Sequence, residues 1–164
     1  MNIAPTPVDE SERLAALREL LILDTPPEER FDRIVAFAAQ EFDMPIAMVS
    51  LVDADRTWFK SRIGIDFCEA PRDVSFCGHA IVSNATLVIP DTLNDARFAD
   101  NPNVIGQPHV RFYAGAGLRL PNNQTVGTLC LYDMVPREFD DIALAILSSL
   151  RDLVVEQLVP MEAA

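Results

Sequence analysis

The spacing of apolar positions predicts two amphipathic helices before the first strand. A leucine stripe over residues 14–21 follows Asp9, which with an acidic residue three positions on resembles a helix cap. A second helix is predicted to begin at 25–28 (Thr-Pro-Pro-Glu), where threonine can cap, proline suits the first helical position and glutamate completes a capping box. Apolar residues then recur at helical spacing as far as Phe42.

Strands dominate the middle of the chain. Residues 45–53 form a nearly continuous apolar run, as expected of a central strand covered on both faces. Alternation over 56–63 predicts a half-exposed strand, and 86–89 predicts a short one. Between them, 64–74 is predicted to be loop and 75–82 a short helix capped by its serine.

Residues 111–133 predict a β-hairpin around the turn 121–124 (Pro-Asn-Asn-Gln). One face of the first strand is apolar and comprises Phe112, Ala114, Ala116, Leu118 and Leu120. The opposite face carries Arg111, Tyr113, Gly115, Gly117 and Arg119. The two glycines leave an opening that either accommodates a packed helix or admits a bound molecule.

The segments around the hairpin suggest a cover and an interface. Residues 92–110 form a long irregular segment, which is typical of a functional loop. After Pro136 a final helix carries apolar residues over 139–158, and its apolar surface is wider than one stripe. We therefore expect a homodimer in which this helix and the stripe 14–21 take part. The order of elements predicts an α+β fold with an antiparallel sheet.

Composition limits the function classes. The 164 residues are 49% hydrophobic and 23% charged, which predicts one globular domain over 1–164, with a loose leader at 1–7 and a folded part at 8–159. The net charge is −12 and Lys60 is the only lysine, so we expect no nucleic-acid partner. The longest apolar run near the C-terminus, 142–147, is too short for a membrane span. Three cysteines without regular spacing favour a reducing, cytoplasmic location.

Several short motifs together resemble the GAF domain, a small-molecule-sensing module. They are 13–17 (Arg-Leu-Ala-Ala-Leu), 23–32 (Leu-Asp-Thr-Pro-Pro-Glu-Glu-Arg-Phe-Asp), 49–53 (Val-Ser-Leu-Val-Asp), 58–61 (Trp-Phe-Lys-Ser), 75–81 (Ser-Phe-Cys-Gly-His-Ala-Ile), 89–91 (Ile-Pro-Asp), 97–102 (Arg-Phe-Ala-Asp-Asn-Pro), 111–116 (Arg-Phe-Tyr-Ala-Gly-Ala) and 127–130 (Gly-Thr-Leu-Cys). The chain looks most like the bacterial group found before diguanylate cyclases and histidine kinases. One departure is Gly117, where similar sequences usually carry proline.

The resemblance implies a five- to six-stranded central antiparallel sheet. It also implies N- and C-terminal helices on one face of that sheet, with a short helix plus loops on the other. GAF domains bind cyclic nucleotides, bilins, haem or small metabolites, so the resemblance identifies no particular cofactor. We expect no catalytic output domain after the last helix, and therefore a sensor that regulates a separate signalling protein.

Five residues are candidates for a ligand cavity between the sheet and residues 75–110: Cys77, His79, Asp91, Phe98 and Tyr113. They combine apolar walls with a few polar groups, which suits a small, partly planar ligand that is not strongly anionic. The alternative is a filled core, with a buried thiol and a hydrogen-bonded imidazole. Neither Cys77-x-His79 nor the distant His109 gives the paired spacing of a zinc site, so no metal is predicted.

A second function remains open. Residues 74–78 (Val-Ser-Phe-Cys-Gly) are similar to a stretch of free methionine-R-sulfoxide reductases, which are single GAF domains, and Cys77 would then be catalytic. That chemistry needs an exposed thiolate and a resolving thiol. The further cysteine of that family has no counterpart in 91–110, and Cys68 replaces it only if its loop folds over Cys77. We therefore favour the non-catalytic sensor.

Overall fold

The computed structural model describes residues 2–83 and 85–159, so Met1 and 160–164 of the predicted domain lie outside the described residues. The α-helices are α1 (Glu10–Glu19), α2 (Glu29–Glu41), α3 (Phe76–Ala80), α4 (Pro102–Ile105) and α5 (Asp141–Leu158). The strands are β1 (Ile46–Val52), β2 (Arg56–Ile63), β3 (Glu69–Pro71), β4 (Leu87–Ile89), β5 (Phe112–Arg119) and β6 (Thr125–Asp133). Short 3₁₀ turns cover Arg72–Val74 and Thr92–Asn94.

The strands form one antiparallel sheet in the order β3-β2-β1-β6-β5-β4. The hairpin predicted at 111–133 is β5–β6, and β1 pairs with both β2 and β6. All seven residues of β1 are buried, as its continuous apolar run predicts. The predicted α+β fold with an antiparallel sheet is confirmed, at six strands.

Each face of the sheet has its own apolar core. One core combines α1, α2 and α5 with alternate strand residues, including Phe112, Ala114 and Leu118. The other lies under α3 and the segment 92–110, and Tyr113 belongs to it. The strict alternation of side chains along β5 separates neighbouring residues into these two cores. The terminal helices therefore share one face and the short helix with its loops lies on the other, as predicted.

Three local predictions are wrong. Helix α2 begins at Glu29, after the predicted start at 25–28. Residues 69–71, predicted as loop, form the edge strand β3. Strand β2 is buried from Thr57 to Ser61 and is not half-exposed, because α2 packs on one face and the segment 65–76 covers the other.

The predicted loose leader is packed at one position. Ala4 is buried, and its N–H donates to Asp73 O at 3.3 Å. A β-carbon built on Gly78 would lie 2.9 Å from Ala4 Cβ, so only glycine allows this approach. The leader is thereby held against α3.

None of the helices formed by residues 2–83 and 85–159 is long and apolar enough to cross a lipid bilayer.

Candidate functional site

An apolar pocket lies on the α3 side of the sheet, at the β1–β2 end. Its volume is about 100 Å³. The pocket is lined by Ile46, Met48, Thr57, Phe59, Ile65, Phe67, Ala70, Pro71, Val74, Ser75, Phe76, Asn103, Pro108, Val110 and Tyr132. None of these described side chains carries a charge, so the pocket suits an uncharged, largely apolar molecule.

Strand alternation explains the floor of the pocket. Ile46 and Met48 in β1 belong to the α3-side core, whereas Ala47 and Val49 belong to the helix-side core. In β2, Phe59 faces the pocket. This alternation of side chains along a strand is the signal that would have identified the floor of the pocket from the sequence.

Two hydroxyls form the polar edge of the pocket. Thr57 Oγ1 donates to Ser75 Oγ at 2.9 Å, and Ser75 Oγ accepts from Gly78 N–H at 3.2 Å. Ser75 therefore caps α3, as predicted, and also fixes the threonine beneath it. Asn103, in the first turn of α4, supplies a third polar side chain.

The mouth of the pocket is marked by Phe67. This ring lines the pocket and is 51% exposed. It contacts Phe59 across the pocket, with ring centroids 5.9 Å apart. Phe67 therefore lies where the pocket meets solvent.

Behind the pocket, Cys77 lies in a fully buried cluster of hydroxyls and a second thiol. Its Sγ is 3.1 Å from Thr128 Oγ1, 3.2 Å from Ser50 Oγ and 3.7 Å from Cys130 Sγ. The hydroxyl oxygens of Tyr113 and Tyr132 each lie 3.5 Å from the same sulfur. The side chains of α3, β1, β5 and β6 thus converge on one atom.

The cluster separates the pKa values of its two thiols. Burial raises the pKa of Cys77, but hydrogen bonds from Cys130, Ser50, Thr128 and Tyr113 outweigh burial and lower that pKa below its ordinary value. Burial and the neighbouring Cys77 raise the pKa of the Cys130 thiol.

Four of the five predicted site residues come together, but as packed core. Phe76 is at the centre, with ring centroids 4.7 Å from Phe98 and 5.2 Å from Tyr113. His79 contacts Phe98 edge-on at 4.7 Å, and Cys77 adjoins Tyr113. Burial lowers the pKa of His79.

Asp91 lies apart from the other four. Its carboxylate forms an ion pair with Arg111 at 3.0 Å, and hydrogen bonding from that guanidinium lowers the pKa of Asp91. None of the five is among the described residues that line the pocket. Whether these residues contact a ligand stays a prediction.

The opening predicted over the β5 glycines is closed by the protein itself. A β-carbon built on Gly115 would lie 2.1 Å from the Tyr113 hydroxyl oxygen, because the tyrosine ring lies back over Gly115. One built on Gly117 would lie 3.0 Å from Thr125 Cγ2. Gly115 thus accommodates the ring of Tyr113, where the sequence left open a packed helix or a bound molecule.

Sequence reasoning did not identify Cys130 as a neighbour of Cys77, because 53 positions separate the two residues. Cys68 is exposed, and its carbonyl accepts from Phe59 N–H at 2.9 Å. Within the described residues, no group of three or more His, Cys, Asp or Glu side chains is arranged to hold a metal ion.

The six-stranded antiparallel sheet with helices on both faces defines an α+β domain, and comparison with known proteins gives its family. Residues 26–158 match the GAF domain family, and the chain belongs to that family. A cyclic di-GMP phosphodiesterase of Pseudomonas aeruginosa is 41% identical over 137 residues, which cover 84% of this chain and 23% of that protein. The chain thus spans about a quarter of the length of this relative.

Solved structures with low sequence identity share the fold. The GAF domain of an Acinetobacter phosphoenolpyruvate-protein phosphotransferase superposes with a TM-score of 0.64 at 15% identity, covering 90% of this chain and 92% of that one. Free methionine-R-sulfoxide reductase from Neisseria meningitidis superposes with a TM-score of 0.65 at 15% identity, covering 96% of each chain.

Proposed function

We propose that this chain is a non-catalytic GAF domain that senses a small, uncharged, largely apolar molecule and regulates a signalling protein. The observation that carries the proposal is the pocket between β1, β2 and the segment 65–76. It combines apolar walls with the Thr57–Ser75 hydroxyl pair, the pattern that orients a small ligand inside an apolar site.

The size of the pocket limits the ligand. A volume of about 100 Å³ is smaller than the roughly 150 Å³ of a cavity that binds benzene. A ligand the size of an aromatic ring therefore requires Phe67 to move outward. This movement would displace β3 and the turn 72–74 when the ligand binds. Cyclic di-GMP is far too large and too anionic for the closed pocket.

The relative from Pseudomonas aeruginosa supports a role in signalling. Its name concerns a whole protein of which this chain matches less than a quarter, so the phosphodiesterase activity is not transferred to this chain. We propose that the chain supplies the regulatory part of such a system. The partner would be a separate or linked signalling protein.

The second candidate function is reduction of free methionine sulfoxide by Cys77. It is favoured by one observation: Cys130 lies 3.7 Å from Cys77 and supplies a second thiol, although residues 91–110 contain no cysteine. It is opposed by the complete burial of both sulfur atoms, since a sulfoxide must reach the attacking thiolate. We therefore place it second.

We further propose a cytoplasmic location and a homodimer. The three cysteines are free thiols, which fits a reducing compartment. An apolar groove between α2 and α5 contains the exposed side chains of Phe37, Ile142 and Leu153, and a second copy would cover it.

Phenol tests the pocket, because it combines an aromatic ring with one hydroxyl. We expect saturable binding of phenol to the wild-type chain, measured by ligand-observed NMR titration. Ala70→Phe fills the pocket from β3 and should weaken binding at least about tenfold. Ala36→Phe places the same side chain on the exposed face of α2 and should leave binding unchanged.

Two results would contradict the sensor proposal. One is an equal weakening of phenol binding by Ala36→Phe and Ala70→Phe, because phenol would then bind outside the pocket. The other is reduction of free methionine sulfoxide in a thioredoxin-coupled assay that disappears in Cys77→Ser. Mass spectrometry of small molecules released from freshly purified protein would identify a natural occupant.

A further inference from the structure

The buried pair Cys77 and Cys130 has the geometry of a dithiol close to bond formation. The sulfur atoms are 3.7 Å apart, and a disulfide requires about 2.05 Å, so an approach of less than about 2 Å suffices. Cys77 lies on α3, a five-residue helix bordered by irregular backbone, whereas Cys130 lies within the six-stranded sheet. The movement can therefore come from α3 alone.

We propose that Cys77 and Cys130 form a redox-active dithiol that a hydroperoxide converts into a disulfide joining α3 to β6. The proposal goes beyond ligand sensing and does not require it. It assigns the two buried thiols a reaction with each other, which the third cysteine, the exposed Cys68, does not share.

The hydroxyl cluster prepares Cys77 for attack. Four hydroxyl groups, from Ser50, Thr128, Tyr113 and Tyr132, lie within 3.5 Å of its sulfur and can donate hydrogen bonds to a thiolate. The thiolate is the nucleophilic form of cysteine. Cys130 has fewer hydroxyl partners: Ser50 Oγ lies 3.3 Å from its sulfur, and its S–H donates to Met48 O at 3.6 Å. Cys77 is therefore the attacking thiol and Cys130 the resolving thiol.

The apolar pocket gives a small oxidant a route to the pair. Tyr132 lines the pocket, and its hydroxyl oxygen is 3.5 Å from Cys77 Sγ. Phe76, the residue before Cys77, lines the same wall. Hydrogen peroxide is little larger than water, so it needs only a small displacement of these two rings. A sulfoxide substrate of amino-acid size needs far more.

The reaction balances in two steps. In the first, the Cys77 thiolate attacks one oxygen of hydrogen peroxide, the O–O bond breaks, and Cys77 becomes a sulfenic acid. The other oxygen leaves as hydroxide, which is protonated to water. In the second, Cys130 sulfur attacks Cys77 sulfur, the S–O bond breaks, and a second water leaves. The two thiols together lose two electrons, and these electrons reduce one hydrogen peroxide molecule to two water molecules.

The test uses the folded full chain with Cys68→Ser, which removes the exposed thiol. After treatment with hydrogen peroxide, we expect loss of both thiols that react with Ellman's reagent in denaturant. The intact mass should fall by two hydrogen atoms, and dithiothreitol should restore both thiols. In the wild-type chain, peptide mapping after alkylation should show a Cys77–Cys130 link.

Matched variants distinguish this reaction from unspecific oxidation. In the Cys68→Ser background, Cys130→Ala should abolish the mass loss and leave Cys77 to gain oxygen, and Cys77→Ala should leave Cys130 reduced. Three results would overturn the proposal: both thiols remaining reduced, gain of oxygen without a link, or a link that includes Cys68 in the wild-type chain. The wild-type map decides the question even if a variant does not fold.

Discussion

Glu10 is the residue that ties helix α1 to the turn before α3. Its carboxylate accepts from Arg13 Nε at 2.8 Å and from Arg72 Nη2 at 3.2 Å. Both arginines are buried, and they also donate to the carbonyls of Val52 and Asp53 at the end of β1. The carboxylate is the only part of this arrangement that balances the two charges, so a buried cluster of this kind depends on it.

We predict that Glu10→Gln lowers the free energy of unfolding at pH 7 by about 2–3 kcal/mol, because it leaves two buried guanidinium groups without their shared anion. Urea denaturation followed by circular dichroism measures the change. Glu12→Gln alters an exposed carboxylate in the same helix and should change stability by less than about 0.5 kcal/mol. Equal effects of both substitutions would contradict the prediction.

The same residue predicts a pH dependence. Burial raises the pKa of Glu10, but hydrogen bonds from Arg13 and Arg72 outweigh burial and lower the pKa from 4.5 to about 2. The unfolded chain therefore binds this proton first as pH falls, and stability is lost between the two values. The difference between wild type and Glu10→Gln should be constant above about pH 5.5 and shrink below pH 4.5. A gap unchanged at pH 3 would contradict this explanation.

At the scale of elements, Lys60 determines where α2 begins. Its ammonium donates to Thr25 Oγ1 at 2.7 Å and to Pro26 O at 2.6 Å, and it forms an ion pair with Glu28 at 2.7 Å. These groups are the ones the sequence assigned to a helix cap. Because the lysine engages them, residues 25–28 do not form the first turn of the helix, which begins at Glu29.

We predict that Lys60→Met lowers the free energy of unfolding by about 2–3 kcal/mol, since it leaves the oxygen acceptors of Thr25 and Pro26 without a buried donor. Arg62→Met, a change to an exposed cation on the same strand, should cost less than about 0.5 kcal/mol. Thermal or urea unfolding of both variants decides this. A stable Lys60→Met variant would show that the cap residues find other partners.

The contrast between β5 and α2 shows what sequence can predict. Alternation placed Phe112 and Tyr113 in opposite cores because a strand has a fixed side-chain period. The start of α2 depends on a lysine 35 positions from Thr25, and no local pattern reports such a contact. The fold was therefore predictable from the sequence, whereas the long-range contacts that set where its helices begin were not.

The pocket illustrates the same limit. Tyr113 was assigned to the correct face, but the opening beside Gly115 disappears because the tyrosine ring occupies it, and a rotamer is not encoded in spacing. The pocket instead forms at the other end of the sheet, where Phe67 and Val74 cross over β2. The residues that line this pocket are not the five that the sequence suggested.

At the scale of the whole molecule, the outer face of α2 and α5 presents a group of exposed apolar side chains. Ile142 is 71% exposed, Phe37 is 52% exposed and Leu153 is 45% exposed, and they border one groove. The inner side of α5 is fully used, with Leu147 and Val154 in the core. The wide apolar surface of α5, which the sequence indicates, therefore faces the core on one side and the groove on the other.

Association through this groove is the last prediction. Light scattering should give twice the monomer mass of 18.2 kDa at high micromolar concentration, because pairing two such faces removes several large apolar side chains from water. Ile142→Glu should shift the chain to monomer, since a carboxylate in the covered groove would lose its hydration. Ile105→Glu makes the same change at a 66% exposed position on α4 and should leave the dimer intact. A wild-type chain that is monomeric throughout this range, or a dimer that survives Ile142→Glu and dissociates with Ile105→Glu, would place the contact elsewhere or remove it.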